Sequence, residues 1–128
     1  MDLSQLPGEM LVLLVGRPGR GRDALAELLR AQAGPLRITF SDTGLLALKA
    51  TRERLPGAVI IAGGLPDAEV IELVFQLKQA HPALACLALA ETTEVQREAL
   101  LAGADCVMPA GSPWGQLLPV ILKLISNA

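Results

Sequence analysis

A glycine- and arginine-rich segment, Gly16 to Arg22 (GRPGRGR), contains the residue types most suited to binding chemistry. It follows a short apolar run and precedes a predicted helix, and a helix N-terminus carries a partial positive charge. Backbone N–H groups and arginine side chains at such a place favour an anion. Arg17, Arg20 and Arg22 are therefore candidate ligands for an anion such as the phosphate of a nucleotide. The spacing fits neither a P-loop nor a strict GxGxxG. The alternative is a solvated loop whose arginines pair with nearby acids: Asp23, Glu27 or Glu91.

Residues for nucleophilic or metal chemistry do not come together in this sequence. The single histidine, His81, precedes a predicted strand and so lies at the wrong end of a sheet to join a Ser/His/Asp or Cys/His set. Cys86 and Cys106 lack metal-ligand spacing and lie among apolar residues, where cysteine packs as a small hydrophobe. We therefore predict a protein that is not an enzyme and that needs no metal and no cofactor.

Length and composition predict one cytoplasmic domain. The 128 residues are 52% hydrophobic, which is enough for a single core without metals or disulfides. A formal net charge of -2 argues against nucleic-acid binding by the whole surface. The first ten residues, MDLSQLPGEM, have no basic n-region ahead of an apolar stretch, and no apolar run approaches the ~20 residues that span a bilayer. We expect a leader at 1–9, a domain at 10–126, and no membrane contact.

Short apolar runs alternate with amphipathic segments along the chain. Met10 to Val15 (MLVLLV) is continuously apolar, which is typical of a strand buried on both faces of a parallel sheet. The pattern predicts strands at 10–15, 36–40, 58–61, 84–89 and 106–108. It predicts helices at 23–32, 45–55, 68–80, 93–102 and 113–125. Five strands alternating with five helices indicate an α/β fold with a parallel sheet covered on both faces.

The last predicted helix is apolar around most of its circumference. Only Gln116, Lys123 and Ser126 are polar in it, whereas a one-faced surface helix carries a broad polar side. One interpretation is a contact surface for a second copy or a partner domain, with these candidate residues: Trp114, Leu118, Ile121, Leu122 and Ile125. The other is a helix mostly buried in its own domain. Pro119 predicts that the regular helix begins near Gln116, because proline is tolerated only in a first turn.

Two short segments have the register of a known family. Leu65-Pro66 follows the third apolar run, and Gly103-Ala104-Asp105 precedes the fifth. With these, the chain from about Leu11 to Ile125 resembles the receiver domains of bacterial two-component response regulators. The resemblance implies a flavodoxin-like (CheY-like) doubly wound sheet of order 2-1-3-4-5 and a role in signal transduction or a phosphorelay. The segment GSPWGQLLPVI resembles regulators with a helix-turn-helix output domain, which implies a fused output domain outside this chain.

The groups with which receiver domains take up a phosphoryl group are missing at the matching positions. The resemblance implies an acidic pair, a phosphoacceptor aspartate, a hydroxyl and a lysine, and phosphoryl transfer there also needs a divalent cation. The matching residues are Gly16, Arg17, Ala62, Ala90 and Ala110. An alanine methyl cannot accept a phosphoryl group, and an arginine repels a cation. We therefore predict a pseudo-receiver that works without phosphorylation, through a protein partner or a homodimer formed by the last helix.

Two alternatives to this prediction stay open. The first is an anion or nucleotide sensor that binds a phosphate-bearing ligand at loop 16–22. The second is a phosphoacceptor that uses an acid displaced from the usual position, and the candidates are these: Asp42, Asp67, Glu69 and Glu91.

Overall fold

Five strands and five helices alternate along the chain in a computed structural model, which describes residues 10–32 and 36–126. The strands are β1 Met10–Gly16, β2 Leu36–Ser41, β3 Ala58–Gly63, β4 Ala85–Ala90 and β5 Cys106–Pro109. The helices are α1 Arg20–Gln32, α2 Gly44–Glu53, α3 Asp67–Ala80, α4 Thr93–Ala102 and α5 Trp114–Ser126. The strands are parallel, in the order β2-β1-β3-β4-β5. This confirms the predicted flavodoxin-like fold, while the predicted leader at 1–9 lies outside the described residues.

The central strands are apolar throughout because both faces of the sheet are covered. Alternate side chains point to opposite faces, so neighbours such as Leu13 and Leu14 enter different clusters of the core. The cluster containing Leu14 also receives side chains from α1 and α5. The cluster containing Leu13 receives side chains from α2, α3 and α4. Because all five strands are parallel, their carboxyl ends lie along one edge of the sheet.

Local hydrogen bonds explain where two helices begin and where one ends. The Asp23 N–H donates to the Gly19 carbonyl at 3.0 Å, so α1 begins at Arg20, three residues before the predicted start. The Thr43 side chain accepts a hydrogen bond from the Leu46 N–H, and this N-cap begins α2 at Gly44. His81 follows α3 and its N–H donates to the Leu77 carbonyl. The structure thus places His81 at a helix C-terminus, as the sequence analysis predicted.

Helix α5 corrects part of the predicted contact surface. Ile121 and Ile125 are 0% exposed and lie in the protein's own core, so their side chains are not available to a partner. They lie four residues apart, as do Leu117 and Ile121, and such positions share one face of a helix. Trp114 is 36% exposed, whereas Leu118 and Leu122 are half-buried. Leu117, Ile121 and Ile125 are therefore core, whereas Leu118 and Leu122 pack against the edge of that core and keep part of their surface exposed.

Pro119 also differs from the prediction. Helix α5 begins at Trp114, because the N–H groups of Gln116 and Leu117 donate to the Pro113 carbonyl. The proline therefore lies in the second turn, and the expected start near Gln116 is wrong. Its exposed ring faces away from the core, and the backbone donor it lacks leaves the Gly115 carbonyl without the usual helical partner.

The two cysteines differ in burial. Cys86 is 0% exposed, and its N–H donates to the Asp105 carboxylate at 2.8 Å. Asp105 in turn forms an ion pair with Lys78 at 3.0 Å, which ties α3 to the start of β5. Burial, with a smaller contribution from Asp105, raises the pKa of the Cys86 thiol from its ordinary value of 9.0 to about 12. Cys106 is half-buried, less than expected of a cysteine that packs as a small hydrophobe, and partial burial raises its pKa too.

The raised pKa of Cys86 predicts a loss of stability at alkaline pH. Below pH 9.0 the thiol is protonated in both the folded and the unfolded chain, so it contributes no pH dependence. Above that pH the unfolded thiol ionises and the folded one does not, so the free energy of unfolding falls. The expected loss is about 1.4 kcal/mol for one pH unit above the ordinary value. Urea unfolding at pH 8 and pH 10 measures it. The Cys86→Ala variant should lose this dependence, and equal slopes for both proteins would contradict the prediction.

Candidate functional site

The carboxyl ends of the strands surround a cleft of about 530 Å³. Four of the five positions matched to the phosphorylation site line it: Arg17, Ala62, Ala90 and Ala110. The fifth, Gly16, is the last residue of β1, and a Cβ added to it would lie 3.7 Å from that of Ala62. The fold therefore brings the five positions together. This is the place where ligands bind in open α/β sheets.

The side chains on the floor of this cleft are apolar, and those on its rim are charged. The alanine methyls of the floor are joined by Leu89, Val70 and Val95, which sequence reasoning did not single out. Three exposed charged residues line the rim: Arg17, Asp67 and Glu91. Across residues 10–32 and 36–126, no three His, Cys, Asp or Glu side chains lie close enough to hold a metal ion.

The acids considered as displaced phosphoacceptors separate into two groups. Asp67 and Glu91 line the cleft. Glu69 accepts a hydrogen bond from the Gly44 N–H at 3.4 Å and contacts the start of α2 instead. Asp42 forms an ion pair with Arg22 at 2.6 Å. None of these acids occupies the end of β1 or β3, where the resemblance places the carboxylates.

The three candidate arginines lie in different environments. Arg22 donates from Nη1 to the Gly16 carbonyl at 3.0 Å and to Asp42, and its guanidinium lies 4.6 Å from the centre of the Phe40 ring. Its side chain is only 11% exposed, so it is bound within the protein. Arg20 is exposed at the start of α1 and does not line the cleft. Of the three, Arg17 alone lines it. Arg22 pairs with Asp42, whereas the sequence analysis considered Asp23, Glu27 and Glu91.

The backbone of β3 is irregular beside the site. The pairing of β1 with β3 shifts register after Val15, so that Gly16 lies opposite Gly63 instead of Ala62. Gly64 follows with a φ of 82°, a left-handed conformation that favours glycine. A Cβ at Gly64 would lie 3.1 Å from the Cβ of Arg17, because the Arg17 side chain lies along this backbone. Glycine at 64 thus leaves room for the Arg17 side chain, which lines the cleft.

The contacts of Arg22 predict a structural role that a substitution can test. Replacing Arg22 with methionine keeps much of the stem but removes the hydrogen bonds to Gly16 and Asp42. The partly buried Gly16 carbonyl then loses a charged donor, and we expect a loss of about 1–2 kcal/mol in the free energy of unfolding. Urea denaturation measures the change. Arg20→Met is the matched control in the same segment and should be neutral; similar losses in both variants would contradict the assignment.

Solved structures that resemble this chain are receiver domains. The signal receiver domain of NarL from Mycobacterium tuberculosis matches with a TM-score of 0.80 and 15% identity, over 95% of this chain and 100% of that chain. The receiver domain of a sensor histidine kinase from Pseudomonas aeruginosa, with a magnesium ion in its active site cleft, matches with a TM-score of 0.76 and 17% identity, over 93% and 99%. NtrX from Brucella abortus matches with a TM-score of 0.77 and 20% identity, over 93% of this chain and 28% of that chain.

These matches confirm the predicted receiver fold. Neither the protein-family models nor the curated proteins contain a match to this sequence. In the part of the chain that the structure describes, no helix has the length and apolar character to cross a membrane. The chain therefore has the architecture of receiver domains.

Proposed function

We propose that this protein is a receiver-like signalling module that works without phosphorylation and is not an enzyme. The main support is the set of residues at the strand ends, where Ala62, Ala90 and Ala110 present methyl groups. Phosphoryl transfer needs a carboxylate nucleophile and a cation held by further carboxylates. Arg17 stands where the resemblance places one of those carboxylates, and its charge opposes a cation. A module of this kind is not switched by phosphorylation and acts by binding a partner.

We propose that recognition uses the exposed side of α5, in a homodimer or with a protein partner that includes a fused output domain. Trp114, Leu118 and Leu122 retain exposed apolar surface on this helix. Tryptophan is a frequent anchor of protein interfaces because it buries a large area with few rotamers. The match to NtrX covers only 28% of that longer chain, which supports a further domain linked to such a module. Such a module would work in the cytoplasm.

Treatment with a small phosphodonor tests the first part of this proposal. The protein is incubated with magnesium and acetyl phosphate, and its intact mass is measured beside a receiver domain that is known to be phosphorylated. We expect no added phosphoryl group on this chain. A stable adduct on Asp67 or Glu91 would contradict the proposal, because it would show that a displaced acid replaces the missing aspartate.

Sedimentation over a range of concentrations tests the self-association. We expect a reversible dimer that the double substitution Leu118→Gln and Leu122→Gln weakens, because both changes place amides in the apolar contact. Leu101→Gln on α4 is the matched control, since Leu101 is 81% exposed on another helix. A strict monomer at the highest concentration would contradict the homodimer.

The alternative function, an anion or nucleotide sensor at loop 16–22, has less support from the geometry. Arg22 is bound to Gly16 and Asp42, and Arg20 does not line the cleft. Arg17 is the one positively charged side chain of this loop that lines the cleft. Flat amide shifts for residues 16–22 during titration with nucleotides would exclude it.

A further inference from the structure

We propose that the cleft at the strand ends binds a small zwitterionic molecule with an apolar body, such as a free apolar amino acid. This goes beyond the recognition function proposed above and does not depend on it. It follows from three features of the cleft: its size, its apolar floor and the arrangement of charges on its rim.

The size and place of the cleft suit a small molecule. Its volume of about 530 Å³ lies within the range of about 300–1,000 Å³ that is common for ligand pockets. It lies at the carboxyl ends of β1, β3 and β4, where loops from several strands converge. No described side chain fills this space.

The floor would receive an alkyl or aromatic group. The methyls of Ala62, Ala90 and Ala110 lie beside Leu89 and Val95, and the polar groups that line the cleft are backbone groups and the three charged side chains of the rim. Removing apolar surface from water is favourable on both sides of such a contact. The alanines at 62, 90 and 110 thus place three methyl groups in the cleft, where an apolar group of a ligand could pack.

The rim would orient the charged end of the ligand. Arg17 follows β1, and Glu91 follows β4 on the other side of β3, so opposite charges flank the floor. Asp67 adds a second acid on the side of α3. Among the described residues these three form no ion pair with one another. A simple anion would gain Arg17 but meet two carboxylates, whereas a carboxylate and an ammonium on one molecule match both signs.

Amide shifts of the labelled protein test the proposal with L-leucine as the probe. We expect saturable shifts at residues 62–65, 91 and 110. N-acetyl-L-leucine lacks the ammonium and L-leucinamide lacks the carboxylate, so each should bind about tenfold more weakly, as expected for the loss of one charged partner. Inorganic phosphate should cause only small shifts. Absence of saturation with leucine, equal binding of the blocked analogues, or stronger binding of phosphate would each overturn the proposal.

Three variants complete the test. Arg17→Gln removes the cation at an exposed position and should weaken leucine binding about tenfold. Ala90→Leu fills the floor and should abolish the shifts, with thermal unfolding measured to establish that it folds. Arg20→Gln, in the same segment but outside the cleft, should bind like the wild type. Equal affinity in Arg17→Gln and the wild type would also overturn the proposal. The phosphodonor experiment has an independent readout, so either proposal can fail without the other.

Discussion

Replacing Ile121 with alanine should lower the free energy of unfolding by about 2–5 kcal/mol, which is the usual cost of truncating a fully buried aliphatic side chain. Ile121 is 0% exposed and packs in the cluster that α1 and α5 form against one face of the sheet. The loss combines the transfer free energy of the removed groups with the cavity they leave. Urea denaturation followed by circular dichroism measures it.

Leu122→Ala is the matched control for this prediction. Leu122 adjoins Ile121 but is half-buried, so its truncation should destabilise the protein much less. If the proposed dimer forms through α5, Leu122→Ala should instead weaken it, because part of the Leu122 side chain remains exposed. A large loss of stability in Leu122→Ala together with a small one in Ile121→Ala would contradict the prediction, because it would show that Leu122 and not Ile121 is the core residue.

Introducing an acid at the end of β1 should also destabilise the protein and should not create a magnesium site. In Gly16→Asp the added Cβ would lie 2.7 Å from the Gly63 carbonyl oxygen, which is closer than real contacts allow. Backbone has to move, and overpacking of this kind typically costs about 1–3 kcal/mol. The new carboxylate would also lie beside Ala62, whose methyl group is no oxygen ligand, while Asp67 and Glu91 lie on the exposed rim and Arg17 opposes a cation. Urea denaturation and magnesium titration measure the two effects.

Gly19→Asp is the control for this substitution. It introduces the same side chain three residues away, where a Cβ meets no atom within 4 Å. Gly19 directly precedes α1, and aspartate is favoured at that position because it caps free N–H groups. Its stability should equal or exceed that of the wild type. If Gly16→Asp were as stable as Gly19→Asp, the β1–β3 contact could not be the reason for glycine at position 16.

The loop at 16–22 was predictable from the sequence, but the environments of its arginines were not. Its composition indicated a cation-rich segment before a helix, and both the helix and the loop are present. The different environments of Arg17 and Arg22 could not be read from that segment, because the partners of Arg22 lie on β2 and beyond it, at Phe40 and Asp42. Arg22 differs from Arg17 through its ion pair with Asp42, a residue 20 positions further along the chain.

The alternation of continuous apolar runs with amphipathic segments determined the element types, their order and the parallel α/β class, because a strand buried on both faces has few polar positions. The residue types at 62, 90 and 110 likewise determined that phosphoryl chemistry has no acceptor there, since a methyl group carries no lone pair. Tertiary structure decided which apolar residues of α5 are core and which are surface, because Ile121 and Leu122 are chemically alike and differ only in what packs against them. It also decided that three alanines and three charged residues share one cleft, because that proximity arises from the order in which the strands assemble.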